Sequence, residues 1–317
     1  MQSCIPGCRG QAGPRRVVVE HAALLTAACW AISCTLAAAG GCRLAGDPVP
    51  RSLVTCRQLS QQGLCALEQQ EWAEAENLLG RAVEACRVDP EARRHYAEAL
   101  WRQGNADEAV TQIEAALQLA PNDPVPLIRA AQMHLALGQV EAAHRHVERA
   151  IDLDPQSAPA WTVRGRVRRQ TGLVREALAD YHRALSYAPE DREALLEVAE
   201  LHRQLNEPES ALATLQFLSD TYPPGEEPQQ VLYLMGLAYA AVGRPRDAVE
   251  SLAAARDTGQ PSAEILYRLA EAELEAGQRS QARSTIAQAL EVEPRHSAGN
   301  ALLDRIELAR EPGNRFD

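Results

Sequence analysis

Residues able to do chemistry are few in this sequence. His144 and His146 would share a metal or relay a proton only from one helix face. Their separation of two residues turns them about 200° apart on a helix, and no HExxH surrounds them. His134 and His202 recur 68 residues apart. With intervening helix layers of ~10 Å, they are expected roughly 20 Å apart, too far for one ion. The serines include no GxSxG turn, and no GxGxxG loop occurs. All 32 basic residues are Arg, which excludes lysine Schiff-base chemistry and the Lys-dependent P-loop. The eight cysteines contain no CxxC, so neither a zinc ribbon nor a thioredoxin-type pair is supported. A disulfide among Cys56, Cys65 and Cys86 and three small buried thiols are both open readings. No catalytic residue, metal site or cofactor is therefore expected, and binding is the better prospect.

What must position any binding residues is a folded, acidic chain. It has 317 residues, 46% of them hydrophobic and only 4% aromatic, with a formal net charge of −11. That apolar fraction is too high for a disordered polymer. The acidic balance argues against sequence-nonspecific nucleic-acid binding, which needs a basic surface, and no nucleic-acid partner is expected.

The first residues differ in texture. Arg15 and Arg16 precede an uncharged run from Ala22 to Ala39, followed by Gly40-Gly41-Cys42. This is the order of an export signal, and the small residues before Cys42 resemble a bacterial lipobox, in which that cysteine is lipidated. Ala39 departs from the usual Leu three residues before the cysteine. Because the run is also about long enough to span a bilayer, residues 1–41 read as a signal peptide or a membrane anchor. Either places the rest of the chain in the cell envelope, facing the periplasm or exterior. Residues 42–55 read as a linker.

Beyond them a period of 34 organises the chain: Pro121, Pro155, Pro189 and Pro223 share it, as do Ala75, Ala109, Ala143, Ala177 and Ala211. A three-residue slip at Pro223–Pro228 reads as a longer loop. Seven units follow, about 56–89, 90–123, 124–157, 158–191, 192–228, 229–262 and 263–296, and residues 297–317 read as a capping helix and tail. Each unit reads as two short helices. Its eighth position is always small (Gly63, Ala97, Ala131, Gly165, Ala199, Gly236, Ala270), as close helix approach demands. Position 15 is mostly Gly, with Asn206 in unit five, suiting a left-handed helix end.

These units resemble tetratricopeptide repeats. The pattern is matched best by Trp161, Gly165, Ala177, Tyr181, Ala184 and Pro189, and it departs at position 11, where the family has Tyr and this chain has Ala66, Leu100, His134, Arg168, His202, Tyr239 and Glu273. Those departures are read as poorly filled, solvent-facing sites. The resemblance implies an all-α, right-handed superhelical solenoid closed by a C-terminal capping helix.

In that family, the stripe opposite the core on each first helix lines a concave groove. Here the stripe supplies Trp101, Ile128, Leu135, Tyr233 and Tyr267 as anchors and Arg94, Arg102, Arg166, Arg169 and Arg203 as fork-shaped donors. About half of the Arg164–Arg169 cluster is expected to be structural, its stems merely packing. An extended or acidic peptide segment of another protein is the natural ligand. The expected function is a non-catalytic, membrane-tethered interaction scaffold. The alternative is a regulatory or recruiting subunit of an envelope enzyme or a secretion or assembly complex.

Overall fold

A computed structural model describes residues 51–308. The proposed export segment, Cys42 and the final residues lie outside the described residues. The described chain contains fifteen α-helices and no strand. They are α1 (Arg51–Glu68), α2 (Trp72–Ala85), α3 (Pro90–Arg102), α4 (Ala106–Leu119), α5 (Pro124–Ala136), α6 (Val140–Leu153), α7 (Ala158–Gln170) and α8 (Val174–Tyr187). They continue as α9 (Arg192–Gln204), α10 (Pro208–Asp220), α11 (Gln229–Ala241), α12 (Pro245–Thr258), α13 (Ala263–Glu275), α14 (Arg279–Val292) and α15 (Ser297–Leu308). None is long and apolar enough to cross a membrane.

Local chemistry sets the helix ends. Asp89 precedes Pro90 and accepts hydrogen bonds from the Glu91 and Ala92 amides, and Asp123 before Pro124 accepts from Val125. A capping carboxylate followed by a proline with pre-set φ starts a helix sharply. First helices end on Gly104, Gly138, Gly172, Gly243 and Gly277, with φ between 72° and 88°, and on Asn206 at 58°. Gln70 adopts the same left-handed turn at 61°. Helix α1 begins at Arg51, so residues 51–55, read as part of a linker, are helical.

Each first helix packs along its second helix, and the small eighth position is what allows it. A Cβ added at Gly63 would lie 2.5 Å from Leu79 Cγ, and one at Gly165 would lie 3.0 Å from Tyr181. Second helices then pack on the next first helix, while first helices of neighbouring units also touch directly, α1 with α3, α5 with α7 and α11 with α13. The result is an all-α solenoid whose core is a chain of local clusters, as expected for stacked units. Helix α15 closes the series by packing Leu302 and Ile306 against Leu266, Ile286 and Ala289. Leu303 packs partly, and Leu308 at the end of the helix is 85% exposed. The three cysteines after residue 55 are free thiols, so no disulfide joins them. Burial, then the neighbouring Asp89, pushes the Cys56 thiol up to about 11.

Candidate functional site

The stripe on the first helices separates into anchors and charges. Trp101 and Ile128 are half-buried and pack on the core around Leu100, Ile113 and Leu127; Tyr233 packs on Leu234 and Leu269, and Tyr267 on Leu266. Leu135 is half-buried. Thr162, on the same stripe, is fully buried and so belongs to the core. The arginines are engaged by the chain itself. Arg102 donates to Glu98 at 2.8 Å and lies over the Trp72 ring, and Arg203 donates to Glu200 at 3.0 Å. Arg166 pairs with Glu193 and Arg169 with Glu197, each reaching from α7 to α9. Arg164 grips the buried Asp180 through Nε and Nη2 at 3.1 and 2.7 Å and also reaches Glu148, while Arg168 adds a 2.8 Å contact to Asp180. All four arginines of the 164–169 cluster are thus ion-paired internally, more than the half expected.

Arg94 differs. Its Nη2 lies 3.3 Å from His95 Nε2, and no carboxylate among the described residues pairs with it. Burial, then the Arg94 charge, pushes the His95 imidazole down to about 4, so this ring is neutral at pH 7.

A cavity of about 270 Å³ opens between α9, α10 and α11. Leu215, Leu234, Leu237 and Ala238 line it, with Arg203 and Arg268 among its walls. Arg268 is held by Glu264 at 2.7 Å and Glu271 at 3.1 Å, and Tyr267 also donates to Glu271. The cavity therefore offers a mixed surface, an apolar leucine and alanine part bordered by charge pairs on the stripe side.

A second constellation lies away from the stripe. His134 Nε2 and His146 Nε2 approach one carboxylate oxygen, Glu114 Oε1, at 3.1 and 2.8 Å. The two rings stack 5.2 Å apart with an interplanar angle of 10°. His134 Nδ1 lies 2.6 Å from Gln139 Oε1. When the rings are protonated, hydrogen bonds from His146 and then His134 hold the Glu114 carboxyl down to about 2.

Models of the tetratricopeptide repeat match residues 61–124, 100–167, 169–232 and 239–306. The chain belongs to the tetratricopeptide repeat family. Such repeats are protein-interaction scaffolds and are typically non-catalytic. Among similar proteins is DnaJ homolog subfamily C member 3 of Rattus norvegicus, 24% identical over 225 residues, or 67% of this chain and 45% of the relative. The chain thus spans about half the length of that relative. Solved structures of like fold include PilW, a widely conserved type IV pilus biogenesis factor, with a TM-score of 0.58 and 18% identity over 68% of this chain and 98% of that one. Another is YrrB, described as having an unusual peptide-binding site, with a TM-score of 0.54 and 20% identity over 60% of this chain and 96% of that one.

The tetratricopeptide numbering explains why the histidine cluster escapes a linear reading. Glu114 is position 25 of unit two, and His134 and His146 are positions 11 and 23 of unit three. Searching for ligands close in sequence misses it; comparing these three positions across unit boundaries finds it. The same positions hold Glu148, Arg168 and Asp180 at the next boundary, where Arg168 pairs with Asp180, then His182, His202 and Thr214. At the following boundary Gln216 donates to the Tyr239 hydroxyl at 3.1 Å. Position 11 is therefore a packed, partnered site in these units and not the solvent-facing vacancy expected, with His134 and Glu273 buried.

Proposed function

We propose that this tetratricopeptide chain is a non-catalytic, membrane-tethered scaffold whose row of first helices binds an extended segment of another protein. The cavity lined by Leu215, Leu234 and Leu237 carries this reading. At about 270 Å³ it has room for an amino-acid side chain, leucine and alanine side chains form its apolar part, and it lies beside Arg203 and Arg268. An apolar residue seated there, followed by a carboxylate that shares the rim arginines, fits its chemistry. Arg94, Trp101, Ile128 and Leu135 extend the same stripe toward the N-terminal units. Because the chain's own glutamates already occupy Arg166 and Arg169, an acidic ligand competes there with built-in partners, so the apolar anchor supplies most of the selectivity.

A peptide-display library selected on the protein tests this. Enriched sequences are expected to share an apolar residue next to an acidic residue or a C-terminus, and Leu237→Arg, which fills the cavity, is expected to weaken them at least about tenfold, or 1.4 kcal/mol. Enrichment indifferent to Leu237→Arg would sink the cavity as the anchor.

The tether rests on Arg15, Arg16, the uncharged run that follows and Cys42. Labelling with palmitate in a bacterial host is expected to mark the chain and to be lost in Cys42→Ala. Labelling that persists in the variant removes the lipidated cysteine, and a chain found in the soluble fraction removes the tether.

A further inference from the structure

We propose that Glu114, His134 and His146 form a binding site for a divalent transition-metal ion of the zinc class, clasping α4 of one unit to both helices of the next.

Convergence is the first argument. The two imidazole Nε2 atoms and a Glu114 carboxylate oxygen all lie within 4.8 Å of one another, and each nitrogen is within 3.1 Å of Oε1. Around a tetrahedral ion with bonds of about 2.0–2.1 Å, donors stand about 3.3 Å apart. The two nitrogen–oxygen separations, 3.1 and 2.8 Å, stand within a few tenths of an ångström of that spacing.

The direction of the lone pairs is the second argument. Ligating histidines characteristically donate their other ring N–H to a carbonyl or carboxylate, which fixes the tautomer. His134 Nδ1 meets Gln139 Oε1 at 2.6 Å. Two units on, at the same two repeat positions, His202 Nδ1 meets Glu207 Oε2 at 2.7 Å. A carboxylate has no donor of its own, so Nδ1 carries the proton in that contact. In the neutral tautomer with its proton on Nδ1, facing Gln139 Oε1, His134 turns an Nε2 lone pair toward the Glu114 carboxylate. Acceptors then face each other across 3.1 Å, and the stacked His146 ring brings a further nitrogen to the same oxygen. A cation between them resolves the conflict.

The donor set gives the class of ion. Two imidazoles and one carboxylate suit zinc, cobalt, nickel or copper, whereas magnesium and calcium prefer oxygen ligands alone. Glu114 is 39% exposed at its side chain, so water has access to a fourth position. Neighbouring unit boundaries supply built-in controls. Glu148, Arg168 and Asp180 put a guanidinium in the same place, and His182, His202 and Thr214 lack the carboxylate. A bound ion would fix α4, α5 and α6 together beneath the units that present Trp101, Ile128 and Leu135.

The test uses the full chain, stripped with chelator and titrated with Co²⁺ and then Zn²⁺. Cobalt is expected to give visible d–d absorption at one equivalent, which Zn²⁺ quenches, and Zn²⁺ is expected to raise the melting temperature. Glu114→Gln and His146→Gln are expected to lose at least about tenfold in affinity and to abolish the thermal shift, while His202→Gln changes neither. Circular dichroism checks that each variant folds, and the half-exposed Glu114 position keeps the test open if His146→Gln does not. Binding that survives Glu114→Gln, or cobalt spectra dominated by thiolate charge-transfer bands, overturns the assignment. Absence of any cobalt absorption makes the trio a hydrogen-bonded network only.

Discussion

At the scale of single residues, partnership decides which charges are available. Arg102, Arg166, Arg169 and Arg203 occupy the stripe with their charges satisfied by glutamates on the same or the next first helix, whereas Arg94 meets only a neutral imidazole. The cost of burying His95 beside that charge is readable in pH. His95 titrates at its ordinary 6.5 when unfolded and is pushed down to about 4 when folded, by burial and then by Arg94. The unfolded chain therefore binds more protons between these values. Stability is fully present above pH 6.5 and falls as pH drops toward 4. Allowing for solvent screening of a partly exposed ring, the loss is about 1–2 kcal/mol. His95→Gln is expected to flatten this segment of the stability profile measured by urea unfolding. An unchanged slope between pH 6.5 and 4 would show that other groups carry it.

At the scale of elements, the helix pair is governed by what stands at the eighth and twenty-fourth positions of each unit. Gly63 faces Leu79, Gly165 faces Tyr181 and Gly236 faces Leu252 too closely for any added carbon to be accepted without a shift. Gly236→Ala is expected to lower the urea midpoint, because overpacking costs about 1–3 kcal/mol against a helix-propensity gain of about 0.5–1 kcal/mol. Gly80→Ala is the control, since its added Cβ would meet Tyr96 at an ordinary 3.4 Å and the propensity gain should dominate. Equal stabilisation by both substitutions would refute the packing argument. These helix-pair features were legible in the sequence because they are local: a small residue at one offset, a left-handed Gly or Asn at another, a proline stop. Gln70 in the left-handed turn was not legible, because glutamine is not a residue type that favours positive φ. The Glu114–His134–His146 cluster was hidden for a different reason. Its members are brought together by stacking of units, and only alignment of one repeat on the next reveals them. The arginine stripe could be read as a face, with Glu98 and Glu200 at same-helix pairing distance from Arg102 and Arg203, but the glutamates that neutralise Arg166 and Arg169 come from the neighbouring first helix, and pairwise geometry of that kind has no one-dimensional signature.

At the scale of the whole solenoid, stability is a sum over units and the interfaces between them, so damage stays local. Helix α15 offers the sharpest case, because it covers the last unit with Leu302 and Ile306, both nearly fully buried, and Arg279 donates to the Ile306 carbonyl at 2.7 Å. Replacing each apolar side chain with Ala removes about 2–5 kcal/mol from that interface. In a globular core such a loss would lower protection everywhere. Here native-state hydrogen exchange of Leu302→Ala/Ile306→Ala is expected to accelerate in α13, α14 and α15 while α3 to α6 keep their protection, since the cap packs on α13 and α14 of the final unit. Uniform acceleration along the chain would mean that the units fold as one cooperative block. Under the local model, a ligand bridging the cavity at α9–α11 and the anchors at Trp101 and Ile128 would couple units that otherwise open independently. Binding of an extended partner would then register as exchange protection spreading from unit two to unit six, beyond the residues it touches.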